Sequence, residues 1–132
     1  MAIVGHGVDI VEVSRIAGMI DRHGERFLER CFTPGERAYA ELRKRSVEHL
    51  AGRFAAKEAV LKALGTGWRN GIAWTDVEVV LRPSGAPEVR LHGAAAEAAR
   101  ALGAASWWLS ISHTESYAVA SAVAEGEARA GA

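Results

Sequence analysis

The run Arg53-Phe54-Ala55-Ala56-Lys57-Glu58-Ala59-Val60-Leu61-Lys62-Ala63-Leu64, followed by Gly65-Thr66-Gly67, reads locally as a helix that stops where Gly65 supplies the left-handed residue favoured at a helix end. Traced backwards it reaches Ser46, whose hydroxyl can cap a first turn, so the predicted helix covers residues 46–64. At about 100° per residue, Val47, Leu50, Phe54 and Leu61 share one apolar stripe, with Glu58 inside it and Lys62 at its edge. As a solvent-facing pair four residues apart, Glu58 and Lys62 would contribute only about 0.2–0.5 kcal/mol. A carboxylate set among apolar neighbours is costly unless a cation, a metal or another chain meets it. Glu58 is therefore the first candidate functional residue.

The chain has 132 residues, 49% of them hydrophobic, which is enough to bury this helix in one core. A single α+β domain is predicted over residues 1–124, with a polar tail, 125–132, that frays. Lys plus Arg and Asp plus Glu both number 16, which argues against a general nucleic-acid binder. The basic groups are unevenly placed. Residues 37–62 hold 7 basic and 3 acidic groups, a balance that suits an anionic ligand or an acidic partner close to the long helix. Cys31 stands alone, so no internal disulfide can form and a buried, inert thiol in a reducing compartment is expected. The first residues carry no basic leader, Asp9 interrupts their apolar run, and no apolar stretch approaches the ~20 residues of a membrane helix; a cytoplasmic protein without membrane contact is expected.

In chain order, residues 2–13 read as a strand covered on both faces, with Gly5 and Gly7 marking a close approach of another backbone or a ligand. Asp9 interrupts this strand as Glu58 interrupts its helix. Ser14 would cap a helix over 15–23 that carries Arg15 and Arg22 on one outer face, suited to an acidic helix or simply solvated. A turn with Phe27 and Leu28 follows. Thr33-Pro34-Gly35-Glu36 then signals a capping box, opening a helix to about Arg43 with Ala38, Tyr39 and Leu42 inward. After the long helix and a loop over 68–71, strands are expected at 74–81 and 88–91, a helix at 94–102, and strands at 107–112 and 117–124. Trp107 and Trp108 must point to opposite faces, one into the core and one available to a neighbouring subunit.

Asp9 and Glu58, if the first strand packs beneath the long helix, can share a hard cation such as magnesium, which takes one or two protein carboxylates and completes its shell with water and phosphate oxygens. Lys62, Arg53, Lys44 and the Gly65-Thr66-Gly67 backbone offer a phosphate cradle, to which the turn residues Ser112, His113 and Thr114 can add. These residues indicate a metal–phosphate site of unspecified kind.

Three blocks, Gly7-Val8-Asp9-Ile10-Val11-Glu12-Val13 with Arg15-Ile16, Phe54-Ala55-Ala56-Lys57-Glu58-Ala59 with Lys62-Ala63 and Gly65-Thr66-Gly67, and Ser110-Ile111-Ser112-His113-Thr114 with Tyr117-Ala118, resemble the holo-acyl-carrier-protein synthases, the short bacterial branch of the 4′-phosphopantetheinyl transferases. The resemblance covers nearly the whole chain and is most specific in the middle block. His6 departs from the small or apolar residue usual in that position, and the segment 21–25 differs by one or two residues in length.

The resemblance implies the transferase fold, a long central helix on an antiparallel sheet, and transfer of the phosphopantetheine arm of coenzyme A to a serine of apo acyl carrier protein, releasing 3′,5′-ADP in support of fatty acid synthesis. It implies Asp9 and Glu58 as magnesium ligands and Lys62 at the coenzyme A phosphates. Arg53 and Gly65-Thr66-Gly67 would line the cleft, Ser112, His113 and Thr114 would reach the nucleotide from an adjoining subunit of a homotrimer, and Arg15 and Arg22 would receive the acidic helix of the carrier. Removal of the serine proton is left open among Glu58, a magnesium-held water and Lys62, with Glu58 favoured. Two alternatives stand beside this reading: the same reaction on polyketide-type carrier domains, and a non-catalytic trimer that binds coenzyme A or a nucleotide.

Overall fold

The computed structural model describes residues 1–68 and 71–127. Strand β1 (Ala2–Glu12) runs directly into helix α1 (Val13–His23), followed by α2 (Glu25–Cys31), α3 (Pro34–Glu41) and the long α4 (Ser46–Leu64). A single 3-10 turn (Trp74–Asp76) leads to the hairpin β2 (Val77–Leu81) and β3 (Pro87–Leu91); α5 (Gly93–Leu102), β4 (Ala104–His113) and β5 (Tyr117–Gly126) complete the chain. The main sheet is antiparallel in the order β1-β5-β4.

Strand alternation gives this sheet two unlike faces. Gly7 and Asp9 of β1 stand opposite Ala122 and Ala120 of β5, and Leu109 and Ile111 of β4 stand opposite the same alanines, so these residues share the face that carries α4. Ala118, Ala120, Ala122 and Ala124 are all buried there, their small side chains letting the helix lie close. Contact is tightest at β1. A Cβ on Gly7 would fall 2.0 Å from the Ala59 carbonyl oxygen, and one on Gly5 would fall 2.3 Å from that of Ala63, so the close approach expected at these glycines is made by the backbone of α4.

Several expectations need correction. The opposite sheet face is uncovered by the described residues: Ile3, Val8, Ile10, Trp108, Tyr117 and Val119 are exposed, because none of the described elements crosses that side. Residues 25–31 form a helix rather than a turn, started by Gly24 at φ 52° and held by inward Phe27 and Cys31 one turn apart. In α3 the inward residues are Glu36 and Ala40; Ala38 is exposed, and Leu42 lies beyond the helix end at 82% exposure. The buried Glu36 carboxylate sets that rotation. It accepts from the Thr33 N–H at 2.8 Å while Thr33 Oγ1 accepts from the Glu36 N–H at 3.2 Å, closing the expected capping box. Ser14 and Ser46 do not cap: both lie inside their helices, and the Val13 N–H at the head of α1 donates instead to the Ser116 carbonyl at 2.9 Å. Residues 74–76 form the 3-10 turn rather than strand, β4 begins at Ala104, and β5 runs on to Gly126, past the expected boundary at 124. Of the expected tail, 128–132 lie outside the described residues, as do 69 and 70 of the expected loop.

Helix α4 is buried on almost every side, so the apolar stripe expected on it does not separate inside from outside. Glu58 sits at the margin, half-buried, and the charged residue at the centre is Lys57, whose side chain is fully buried. Its ammonium lies 2.8 Å from Glu36 and donates to the carbonyls of Trp74 at 3.1 Å and Val77 at 2.5 Å. The second Glu36 oxygen accepts from the Val79 N–H at 2.8 Å. One ion pair therefore ties α3, α4, the 3-10 turn and β2 together.

Candidate active site

Asp9 leaves the inner face of β1 two residues after Gly7, where strand and helix backbones touch, and this brings it to Lys62. The Lys62 ammonium donates to Asp9 Oδ1 at 3.1 Å and to the Val8 carbonyl at 2.9 Å. Its partner is thus 53 residues away in sequence, and the helical pairing with Glu58 is replaced by a strand-to-helix contact. Glu58 faces the same cluster. Burial raises the proton affinity of its carboxyl above the usual range, and the Asp9 carboxylate pushes the same way, while Trp68, Lys62 and Arg15 act against it. The Trp68 Nε1 is buried and has no hydrogen-bond partner among the described residues.

Beyond Lys62 the helix ends on Gly65, left-handed at φ 77°, whose N–H donates to the Leu61 and Lys62 carbonyls at 3.0 and 3.1 Å. No atom of the described residues lies within 4 Å of where a Cβ would stand on Gly65 or Gly67, so among them the backbone of this turn opens onto space after Lys62. Thr66 turns its hydroxyl to the Gly67 carbonyl at 3.0 Å.

The remaining candidates lie towards the other end of α4: by helical rise Arg53 is about 13 Å from Lys62, and His49, which His113 meets, is about 20 Å away. Arg53 is buried, its guanidinium 4.2 Å from the centre of the Tyr39 ring and its Nε without a partner among the described residues. The His113 ring meets His49 edge-on at 5.2 Å, with His113 Nδ1 3.8 Å from Glu48. Thr114 spends its hydroxyl on its own hairpin, accepting from the N–H groups of Ser116 at 3.2 Å and Tyr117 at 3.1 Å. Ser112 and Lys44 are exposed. Within one chain, then, Asp9, Glu58, Lys62 and the glycine turn come together, whereas Arg53 and His113 belong to a separate basic and aromatic region, and Lys44, Ser112 and Thr114 make no contact with the Lys62 cluster among the described residues.

The carboxylate pair fits a hard divalent cation. Asp9 and Glu58 supply oxygen donors alone, and among the described residues no group of three or more His, Cys, Asp or Glu is placed to cage a metal. Such a pair suits magnesium, which keeps water and substrate oxygens in most of its positions.

Residues 5–122 match the model of the 4′-phosphopantetheinyl transferase superfamily. A holo-[acyl-carrier-protein] synthase of Koribacter versatilis is 53% identical over 123 residues, which span 93% of this chain and 98% of the relative. The chain belongs to the 4′-phosphopantetheinyl transferase superfamily, in its holo-acyl-carrier-protein synthase branch. Solved structures agree. The Neisseria meningitidis holo-[acyl-carrier-protein] synthase superposes with a TM-score of 0.85 at 35% identity, covering 93% of this chain and 98% of that one. The Bacillus anthracis enzyme in complex with CoA (3′,5′-ADP) superposes at 0.79 with 39% identity, covering 96% and 100%.

On this transferase a groove of about 350 Å³ lies between α1, α2 and the aromatic residues of α4 and the 3-10 turn. Arg15, His23, Arg26 and Arg30 line it over an apolar floor of Met19, Phe27, Phe54 and Trp74. Arg15 is thus on the groove, its guanidinium 5.7 Å from the centre of the Phe54 ring. Arg22 is not, being folded back on its own helix with Nη2 3.5 Å from Met19 Sδ. Arg26 and Arg30 were missed because residues 25–31 read as a turn; the Phe27/Cys31 spacing of four was the available signal.

Proposed function

We propose that this enzyme transfers the 4′-phosphopantetheine arm of coenzyme A to a serine hydroxyl of apo acyl carrier protein, giving holo carrier and 3′,5′-ADP. The observation that carries this reading is the meeting of Asp9, Glu58 and Lys62 beside the open Gly65-Thr66-Gly67 turn. Magnesium held by Asp9 and Glu58 supplies charge neutralisation on the coenzyme A diphosphate when bound. The Lys62 ammonium, on a side chain that is 54% exposed, adds a mobile positive charge to the same oxygens, beside the open backbone of the glycine turn. Glu58, its proton affinity raised by burial and by Asp9, takes the serine proton directly or through one water. The serine Oγ–P bond forms as the bond from phosphorus to the 3′,5′-ADP oxygen breaks, with the two oxygens roughly in line.

The groove at Arg15, Arg26 and Arg30 suits the acidic helix of a carrier: cations at its rim meet carboxylates while Met19, Phe27 and Phe54 accept apolar side chains. The sheet face that the described residues leave uncovered supports self-association, because an apolar patch containing Ile10 and Trp108 is a liability in a monomer, and from the family resemblance we assign a homotrimer. In that assembly the His113 region of one protomer completes the coenzyme A site of its neighbour. None of the described helices is long and apolar enough to cross a membrane, and we place the enzyme in the cytoplasm in service of fatty acid synthesis.

Intact mass spectrometry of apo carrier protein incubated with the enzyme, coenzyme A and magnesium tests the reaction. A phosphopantetheine-sized mass gain, abolished by chelator, is expected. Unchanged mass on several apo carriers, fatty-acid and polyketide types alike, would leave only ligand binding.

A further inference from the structure

We propose that Glu48 is a positioning residue for His113, its buried carboxylate holding the imidazole in the orientation in which it meets the nucleotide end of coenzyme A at a neighbouring subunit; this rests on the function proposed above. Glu48 stands in the first turn of α4 and His113 is the last residue of β4, so the pair joins the start of the helix to the turn that leads into β5. Glu48 Oε1 lies 3.8 Å from His113 Nδ1, with the carboxylate side chain 9% exposed and the imidazole 31%. The inner group is thus held by the fold while the outer one reaches solvent. His49 completes the frame, its ring edge-on to His113 at 5.2 Å and edge-on to Tyr39 at 5.6 Å.

Glu48 Oε1 is buried and has no hydrogen-bond partner among the described residues. Its companion Oε2 lies 3.5 Å from the Nε of Arg45, whose side chain is exposed. Buried polar atoms in folded proteins are nearly always satisfied, and the group within ion-pair reach of Oε1 among the described residues is the His113 ring. A small turn of that ring closes the contact to a hydrogen bond. An ionised carboxylate only accepts, so the nitrogen facing it carries the hydrogen, and Nε2 on the far edge of the ring is left free for the nucleotide. An unheld imidazole at a strand end would lose its rotamer freedom when the ligand binds. Glu48 removes that freedom beforehand.

The test is calorimetric binding of 3′,5′-ADP, with magnesium, to the full chain as wild type, Glu48→Gln, His113→Ala and the double variant. Each single variant should bind about tenfold more weakly, the weight of one lost hydrogen bond to a charged or well-placed group. The double variant should be no weaker than His113→Ala alone, because Glu48 acts through His113. In turnover assays Glu48→Gln should raise KM for coenzyme A and leave kcat unchanged. A second readout needs no variant: ring ¹⁵N shifts of ligand-free wild type at pH 8 should place the His113 proton on Nδ1. Wild-type affinity in Glu48→Gln, losses that add in the double variant, or a His113 proton on Nε2 each overturn the inference and leave the proposed transfer reaction standing. Wild-type affinity in His113→Ala overturns the inference together with the neighbour-completed site, and a wild-type protein that binds no 3′,5′-ADP overturns the proposed function as well.

Discussion

The Lys57 ammonium lies 2.8 Å from the Glu36 carboxylate with neither side chain exposed, and between them the two groups serve the Thr33 and Val79 N–H groups and the Trp74 and Val77 carbonyls. Burial pulls the proton affinity of Lys57 below the ordinary lysine range, while Glu36 pulls it back up. Removing one partner strands a buried charge, so Lys57→Met and Glu36→Gln should each cost about 3–5 kcal/mol in urea denaturation. Replacing both residues by apolar ones is often harmless at a buried ion pair. Here the double variant Glu36→Leu/Lys57→Met should stay destabilised, because four backbone groups lose their partners together.

Gly7→Ala should destabilise the fold by about 3 kcal/mol, the upper end of overpacking, since the new methyl meets the Ala59 carbonyl of the helix backbone rather than a movable side chain. Gly65→Ala, strained only by its left-handed backbone in open space, should cost about 1 kcal/mol. Urea midpoints at constant slope distinguish the two.

Glu58→Gln should make the ligand-free protein more stable at pH 7.5 while slowing transfer roughly 100-fold or more. A carboxyl whose proton affinity rises on folding destabilises the fold as the pH climbs through its folded value, and the amide removes that penalty. Thermal scans without metal, paired with carrier mass-gain rates, show both effects.

His49 gives the fold an acid-side weakness. Burial lowers its proton affinity, His113, Arg53 and Arg43 lower it further, Glu48 opposes them, and the Tyr39 ring meets it edge-on. The unfolded chain therefore takes up the proton first as the pH falls below 6.5, and stability should decline from there towards the folded value. His49→Phe should flatten the thermal midpoint between pH 7 and pH 5.5.

Much of the site was legible because its residues break local rules: Asp9 in an apolar strand, glycines beside it, Lys62 before a glycine turn. Which charge would be buried was not. Lys57 looks like any solvated helix lysine, and periodicity could not single it out on a helix wrapped almost all round by the sheet, α1, α3 and the hairpin. Its partner Glu36 was seen only as a capping residue. That Arg53 and His113 lie apart from Lys62 within one chain was not legible either, since sequence does not say which end of a long helix a later strand reaches. Helix α2 was lost to its length: seven residues after a glycine carry too little periodicity to tell from a turn.

The claim that Asp9, Glu58 and Lys62 form one catalytic site is tested most directly by the rate of carrier mass gain for Asp9→Asn, at saturating coenzyme A and magnesium, against wild type. The expected rate is at least about 100-fold lower with the fold intact by circular dichroism. An Asp9→Asn enzyme that modifies the carrier at the wild-type rate would contradict it.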